Sequence, residues 1–193
     1  EKSSVYIGGR AGLAEDHYFV GSISNLAISP RPLEQHEVDC AYLSGQQSVG
    51  ECGDPEGLVF SAPLFLSGGG TDATPPLTPN AIGAVGDDPV TLHGNTYLDR
   101  SQGAVVDGDR DYITFMDEGY TSGRSFTVSF WFQKRTECAT PGRWEFLYSE
   151  AANSEAPFWR SEESSLEVYL ACSRDDRDGP SGDILRTYLQ DSC

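Results

Sequence analysis

Hydrophobic and polar residues alternate along most of this chain with a period of two. In Ser125–Gln133 (SFTVSFWFQ), Phe126, Val128, Phe130 and Phe132 fall on one face, and Thr127, Ser129, Trp131 and Gln133 on the other. That is the mark of a strand with one buried side. Leu166, Val168, Leu170 and Cys172 alternate in the same way against Glu167, Tyr169 and Ala171, and Trp144, Phe146 and Tyr148 are predicted to share a face. Further strands are predicted over Ile184–Gln190, Asp111–Met116, Leu58–Ala62 and Val5–Ile7, separated by clusters of Gly, Pro, Asp and Ser that read as turns. The pattern predicts an all-β, antiparallel β-sandwich.

One segment departs from it. After Ser29-Pro30-Arg31-Pro32, the run Leu33–Leu43 carries Leu33, His36, Val38 and Tyr42, and Pro32 sits where a helix start accepts proline. One short helix is expected there. Ser67–Asn80 (SGGGTDATPPLTPN) reads as a connection with a stiff, Pro-rich second half, and Asp175–Asp183 (DDRDGPSGD) as an exposed acidic loop.

Composition narrows the class. The 193 residues hold 30 acidic and 13 basic side chains, for a formal charge of −17. So acidic a surface repels nucleic-acid backbones and anionic bilayers. No apolar run approaches the ~20 residues that span a membrane, so membrane insertion is not expected. The first residue is Glu1, and no basic-then-apolar leader follows it, so the sequence is expected to be a processed product or a piece of a longer protein.

The five cysteines are Cys40, Cys52, Cys138, Cys172 and Cys193. They contain no CxxC pair, and only three histidines accompany them, which argues against structural zinc. Disulfides in an oxidising, extracellular setting fit better. Cys40 and Cys52 flank a short polar loop and make a plausible local staple. Cys138 follows one predicted strand and Cys172 ends another, so these two are candidates to bridge neighbouring strands. Cys193 is left over, with a partner either beyond this segment or on another chain.

Two stretches resemble parts of laminin-G-like, concanavalin A-like jelly-roll domains. Tyr18–Leu43 (YFVGSISNLAISPRPLEQHEVDCAYL), preceded by Val5–Gly9 (VYIGG), is similar to the closing part of that fold, and Val105–Lys134 (VVDGDRDYITFMDEGYTSGRSFTVSFWFQK) to its opening part. The resemblance implies a closing half over 1–52, a Gly/Pro/Thr-rich connection including a first strand over 53–80, and an opening half over 81–193. The order is reversed, and the Trp-His-His-Val strand of the family's middle is missing. Three readings follow: a slice of a tandem array, a circularly permuted fold, or halves completed by neighbouring chains. Unpaired edges invite such pairing.

Candidate chemistry is thin. Asp107, Asp109 and Asp111, with Glu118, mimic the spacing of a calcium loop. However, Tyr112 stands where an EF-hand needs Gly, which leaves a calcium ion held differently at a sandwich rim. Asp175, Asp176, Asp178 and Asp183 read as a solvated loop. No strand carries the alternating carboxylates of laminarinase-type relatives, whose acid and nucleophile lie ~5 Å apart. Glu145 and Glu150, an odd number of residues apart, are predicted on opposite faces. There is no G-x-S-x-G elbow and no phosphate loop, so an enzyme is not expected, and a degenerate glycoside hydrolase ranks last. Trp131, opposite the Phe face, is the candidate for stacking on a glycan. Thr71, Thr74 and Thr78, beside Pro75 and Pro76, form a context for O-linked sugars, while no Asn-x-Ser/Thr sequon exists.

The expected function is a structural or interaction module of a secreted protein. It would be a repeating subunit of a fibrous or filamentous surface assembly, completed by neighbouring chains or repeats of the same protein. The alternative is a calcium-dependent, lectin-like glycan-binding module.

Overall fold

A computed structural model describes residues 3–9, 18–43, 52, 58, 60–62, 64–65, 90–117, 125–136, 144–151, 165–173 and 182–190. Among these the chain is all-β apart from one helix. In order the elements are β1 (Ser3–Ile7), β2 (Val20–Ser29), α1 (Gln35–Leu43), β3 (Phe60–Ala62), β4 (Thr91–His93), β5 (Tyr97–Asp99), β6 (Gly103–Asp107), β7 (Tyr112–Asp117), β8 (Thr127–Lys134), β9 (Trp144–Ala151), β10 (Ser165–Ser173) and β11 (Gly182–Gln190).

They form two antiparallel sheets. The six-stranded sheet runs β11-β10-β9-β1-β7-β4 and the other β3-β2-β6-β5, with β8 also paired to β2. Ser22 of β2 pairs with Val105 of β6 and with Gln133 of β8, so these two strands flank β2 on opposite sides. Further along, β3 takes over from β6, pairing at Leu26–Ile28. The handover coincides with an irregularity in the β2–β8 ladder between Ser24 and Ala27, where Asn25 adopts φ 51°. An extra residue in one strand bends it in this way.

The inner faces meet in one apolar core. Val5 and Ile7 from β1, Ile113 and Phe115 from β7, and Leu170 from β10 face Ile23, Leu26 and Ile28 from β2, Phe60 from β3 and Val106 from β6. Phe60 and Phe115 stack across the gap with ring centroids 4.0 Å apart. The strand period therefore did what it predicts: Val128, Phe130, Leu166 and Val168 all pack against this core.

The two stretches read as halves of different or incomplete sandwiches belong to the same pair of sheets. β1 lies between β7 and β9, and β2 lies between β8 and the β6/β3 pair. Segments before residue 30 thus supply central strands for segments after residue 90.

β9 holds a second correction. Its ladder with β10 shifts register between Val168 and Tyr169, and the extra residue turns both Leu147 and Tyr148 into the core. Trp144 and Phe146 therefore share the outer face with Tyr169, at 5.8 and 5.4 Å between centroids, without Tyr148. The same bulge cancels the odd spacing of Glu145 and Glu150. Glu145 pairs with the core residue Leu170, and Glu150 with the core residue Val5, so both carboxylates lie on the inward face.

Candidate functional site

Asp111 is the most informative of the candidate ligands, because its carboxylate is already spoken for. The β6–β7 turn and the β4–β5 turn meet at it. Oδ1 accepts the Asn95 amide at 2.6 Å and Oδ2 the Asp107 amide at 3.2 Å, and the side chain is 0% exposed. Gly94, at φ +68°, makes room, since a Cβ there would run into Asp111 Oδ1. Burial pushes the Asp111 carboxyl above its usual range, with the neighbouring Asp107 adding to the effect and the Asn95 amide opposing it. Asp107 is exposed, and its Oδ1 accepts the Asp109 amide at 3.1 Å in an Asx turn. The carboxylates of Asp111 and Asp107 thus accept different main-chain amides. Among the described residues no group of three or more His, Cys, Asp or Glu side chains converges to hold a metal ion. Asp111 acts as a buried clasp between two turns.

Trp131 lies half-buried on the outer face of β8, as the period predicts. It does not stand alone: Tyr42 of α1 stacks on it at 6.3 Å and 18° between ring planes. Tyr42 itself is 71% exposed. The pair forms an aromatic shelf whose outer ring belongs to the helix, a contribution that the strand pattern gave no hint of.

The helix is placed there by its N-terminal side. Glu34 caps it, its carbonyl accepting the Glu37 and Val38 amides, while Glu37 Oε2 reaches back to the Glu34 amide at 2.8 Å. This is the reciprocal half of a capping box. Arg31 grips the Glu37 carboxylate with both guanidinium arms, at 2.8 and 2.6 Å, and holds its pKa down to about 2, helped by the Glu34 amide. The Arg31 carbonyl in turn accepts the Thr127 hydroxyl of β8 at 3.0 Å. The helix buries Glu37 and Ala41 and leaves Val38, Tyr42 and Leu43 exposed.

Cys40 and Cys52 form a disulfide, the local staple expected from their spacing. Cys172 is disulfide-bonded as well. Cys138, Cys193, Glu118 and the modification candidates Thr71, Thr74, Thr78, Pro75 and Pro76 lie outside the described residues, as do Asp175, Asp176 and Asp178. Glu145, far from facing a substrate, lies 3.4 Å from Lys134 Nζ of β8 in a buried ion pair that joins the two sheets.

The feature that sequence reading expected in general but did not locate is the set of sheet ends. β3, β4 and β5 are three residues each, too short to template much pairing. β8 and β11, at eight and nine residues, are long. β11 ends the six-stranded sheet, and among the described residues β8 pairs only with β2. Neither strand contains proline; β8 has a single charge, Lys134 at its end, whereas β11 carries Asp183 and Arg186, so β8 has the less of the usual protection of an edge.

Comparison with known protein families, with curated proteins and with solved structures finds no match.

Proposed function

We infer that the chain is a structural, self-associating module of a secreted extracellular protein, a repeating subunit of a fibrous or filamentous surface assembly. The observation that carries this reading is the pair of long edge strands, β8 and β11, each of which pairs on one side only among the described residues. Such a molecule is complete enough to fold and open enough to extend. Disulfide bonds at Cys40–Cys52 and Cys172 favour an oxidising location, and no helix among the described residues is long and apolar enough to cross a membrane. The likeness to laminin-G-like domains supports an extracellular setting, and it rests on the short motifs at Tyr18–Leu43 and Val105–Lys134.

The test is sedimentation velocity and negative-stain microscopy of the oxidised chain over a wide concentration range. Concentration-dependent polymers support the reading, and a monomer at every concentration overturns it.

A second reading, a glycan-binding module, draws on the Trp131–Tyr42 shelf, since a flat, half-exposed ring pair suits the apolar face of a sugar. A glycan array with and without chelator tests it. Signals lost in a Trp131→Ala chain favour glycan binding, and chelator sensitivity would bring calcium back into account.

A further inference from the structure

We propose that the outward face of α1 binds a sugar bearing a free amino group, with the Tyr42 ring as its platform and the Asp39 carboxylate as the acceptor of its ammonium. This rests on the glycan-binding reading of the Trp131–Tyr42 shelf and names the class of sugar that the shelf takes.

The first support is helical spacing. Gln35, Val38, Asp39 and Tyr42 stand at i, i+3, i+4 and i+7, which puts them on one face of α1, and all four are exposed. A surface helix ordinarily turns its apolar stripe toward the core. Here Glu37 and Ala41 are buried instead, and Val38 and Tyr42 remain 45% and 71% exposed. The face therefore offers a ring and an aliphatic side chain next to a carboxylate. That combination suits a pyranose, which has an apolar C–H side and a polar rim.

The second is charge. From Pro32 to Leu43 the chain holds Glu34, Glu37 and Asp39 and no Lys or Arg. These three acids are differently engaged. Glu37 is buried against Arg31, and Glu34 lies 3.3 Å from the His36 ring. Asp39 is exposed, and Gln35 Nε2 donates to its Oδ1 at 2.8 Å. A neutral amide fixes the position of the carboxylate without cancelling its charge. A neutral sugar leaves that charge unused and a sulfated or uronic sugar is repelled by it, so the complement is cationic. The ring acts in the same direction, since an ammonium is drawn to an aromatic face. A lysine side chain would answer the charge but not the apolar surface of Val38, and the breadth of the patch favours an amino sugar.

The third is rigidity. Arg31 grips Glu37 near the start of α1, Cys40 is tied to Cys52, and Trp131 of β8 stacks with Tyr42. A platform held in place before binding loses little freedom when the sugar arrives.

The experiment is calorimetric titration of the full oxidised chain at low salt with a β-1,4-linked glucosamine tetramer, its N-acetylated counterpart, cellotetraose and tetralysine. The glucosamine tetramer is expected to bind more tightly than the two uncharged sugars, and salt to narrow the gap. Asp39→Asn should weaken the glucosamine tetramer about fivefold and leave cellotetraose unchanged. Tyr42→Ala should abolish binding of both, and Tyr42→Phe retain it. On the unaltered chain, the amide resonances of Gln35, Asp39 and Tyr42 and the Trp131 indole should shift with added glucosamine tetramer, a reading independent of any variant's folding. Equal binding of glucosamine and cellotetraose, unmoved by Asp39→Asn, overturns the ammonium assignment and leaves the glycan reading standing. No binding of any sugar overturns both. Tetralysine that binds more tightly than the glucosamine tetramer, with the same loss in Asp39→Asn, overturns the sugar and makes this face a peptide site.

Discussion

Two carboxylates in this molecule do similar mechanical work and are tuned in opposite directions. Asp111 and Glu37 are both almost wholly hidden from solvent, and both accept main-chain amides that tie a turn or a helix start in place. Glu37 has Arg31 against it in a two-armed ion pair and is held down to about 2. Asp111 has amides and a second carboxylate for company, and burial raises it. The difference shows that a clasp made from hydrogen bonds alone costs the fold the desolvation of a charge. A clasp that includes a cation recovers that cost.

The comparison breaks most clearly at Asp111. Replacing it with alanine takes the charged acceptor from the Asn95 and Asp107 amides, and a loss of about 3 kcal/mol is expected from two such hydrogen bonds. Urea denaturation measures this, and a change below about 1 kcal/mol would show that the two turns hold without their clasp. On the helix side, replacing Cys40 and Cys52 together with serine should cost about 2–3 kcal/mol by the loop-closure argument. If the Arg31–Glu37 clasp alone sets the position of α1, the Trp131–Tyr42 stacking signal in near-ultraviolet circular dichroism survives that change.

Smaller effects follow from pH, and the signs differ. Glu37 is lowered in the fold, so its contribution is complete above its ordinary value of 4.5 and disappears as pH falls toward about 2. Asp111 is raised, so its contribution is greatest below its ordinary value of 3.8 and is lost as pH climbs through its folded pKa. Stability profiles of Glu37→Gln and Asp111→Asn should therefore flatten on opposite sides. Two profiles that flatten on the same side would contradict the assignment of causes. The smallest change is Tyr42→Ala, which removes an exposed ring from Trp131 and should cost under about 1 kcal/mol. Its value is diagnostic: a larger loss would mean that the shelf supports α1.

Much of this architecture was written in the alternation of residues. β8 and β10 lie where period two put them, because each has one face in the core, β11 covers the run predicted for it, and α1 follows its proline and acidic start. The partition of β8, with Phe130 inward and Trp131 outward, was legible residue by residue. β4 and β5 were not, since three residues give no period to count, and the turn that carries the chain from one sheet to the other between them depends on Gly94 and on a carboxylate sixteen residues beyond Asn95. The bulge in β9 was equally hidden. One surplus residue, with no Gly or Pro to announce it, reassigns Tyr148 and carries Glu150 to the same face as Glu145. The reversed order of the two motif-bearing stretches was visible, but its meaning was not, because pairing between β1 and its partners on either side spans more than a hundred residues. Of the candidate ligands, spacing gave no sign that both oxygens of Asp111 and one of Asp107 accept backbone amides.

The central position of β1 has a consequence in time. A strand made early, yet seated between two strands made much later, has neither ladder partner until β7 and then β9 have left the ribosome. The larger sheet therefore cannot consolidate progressively as synthesis proceeds. It must close late around an early strand kept waiting while the intervening strands are made.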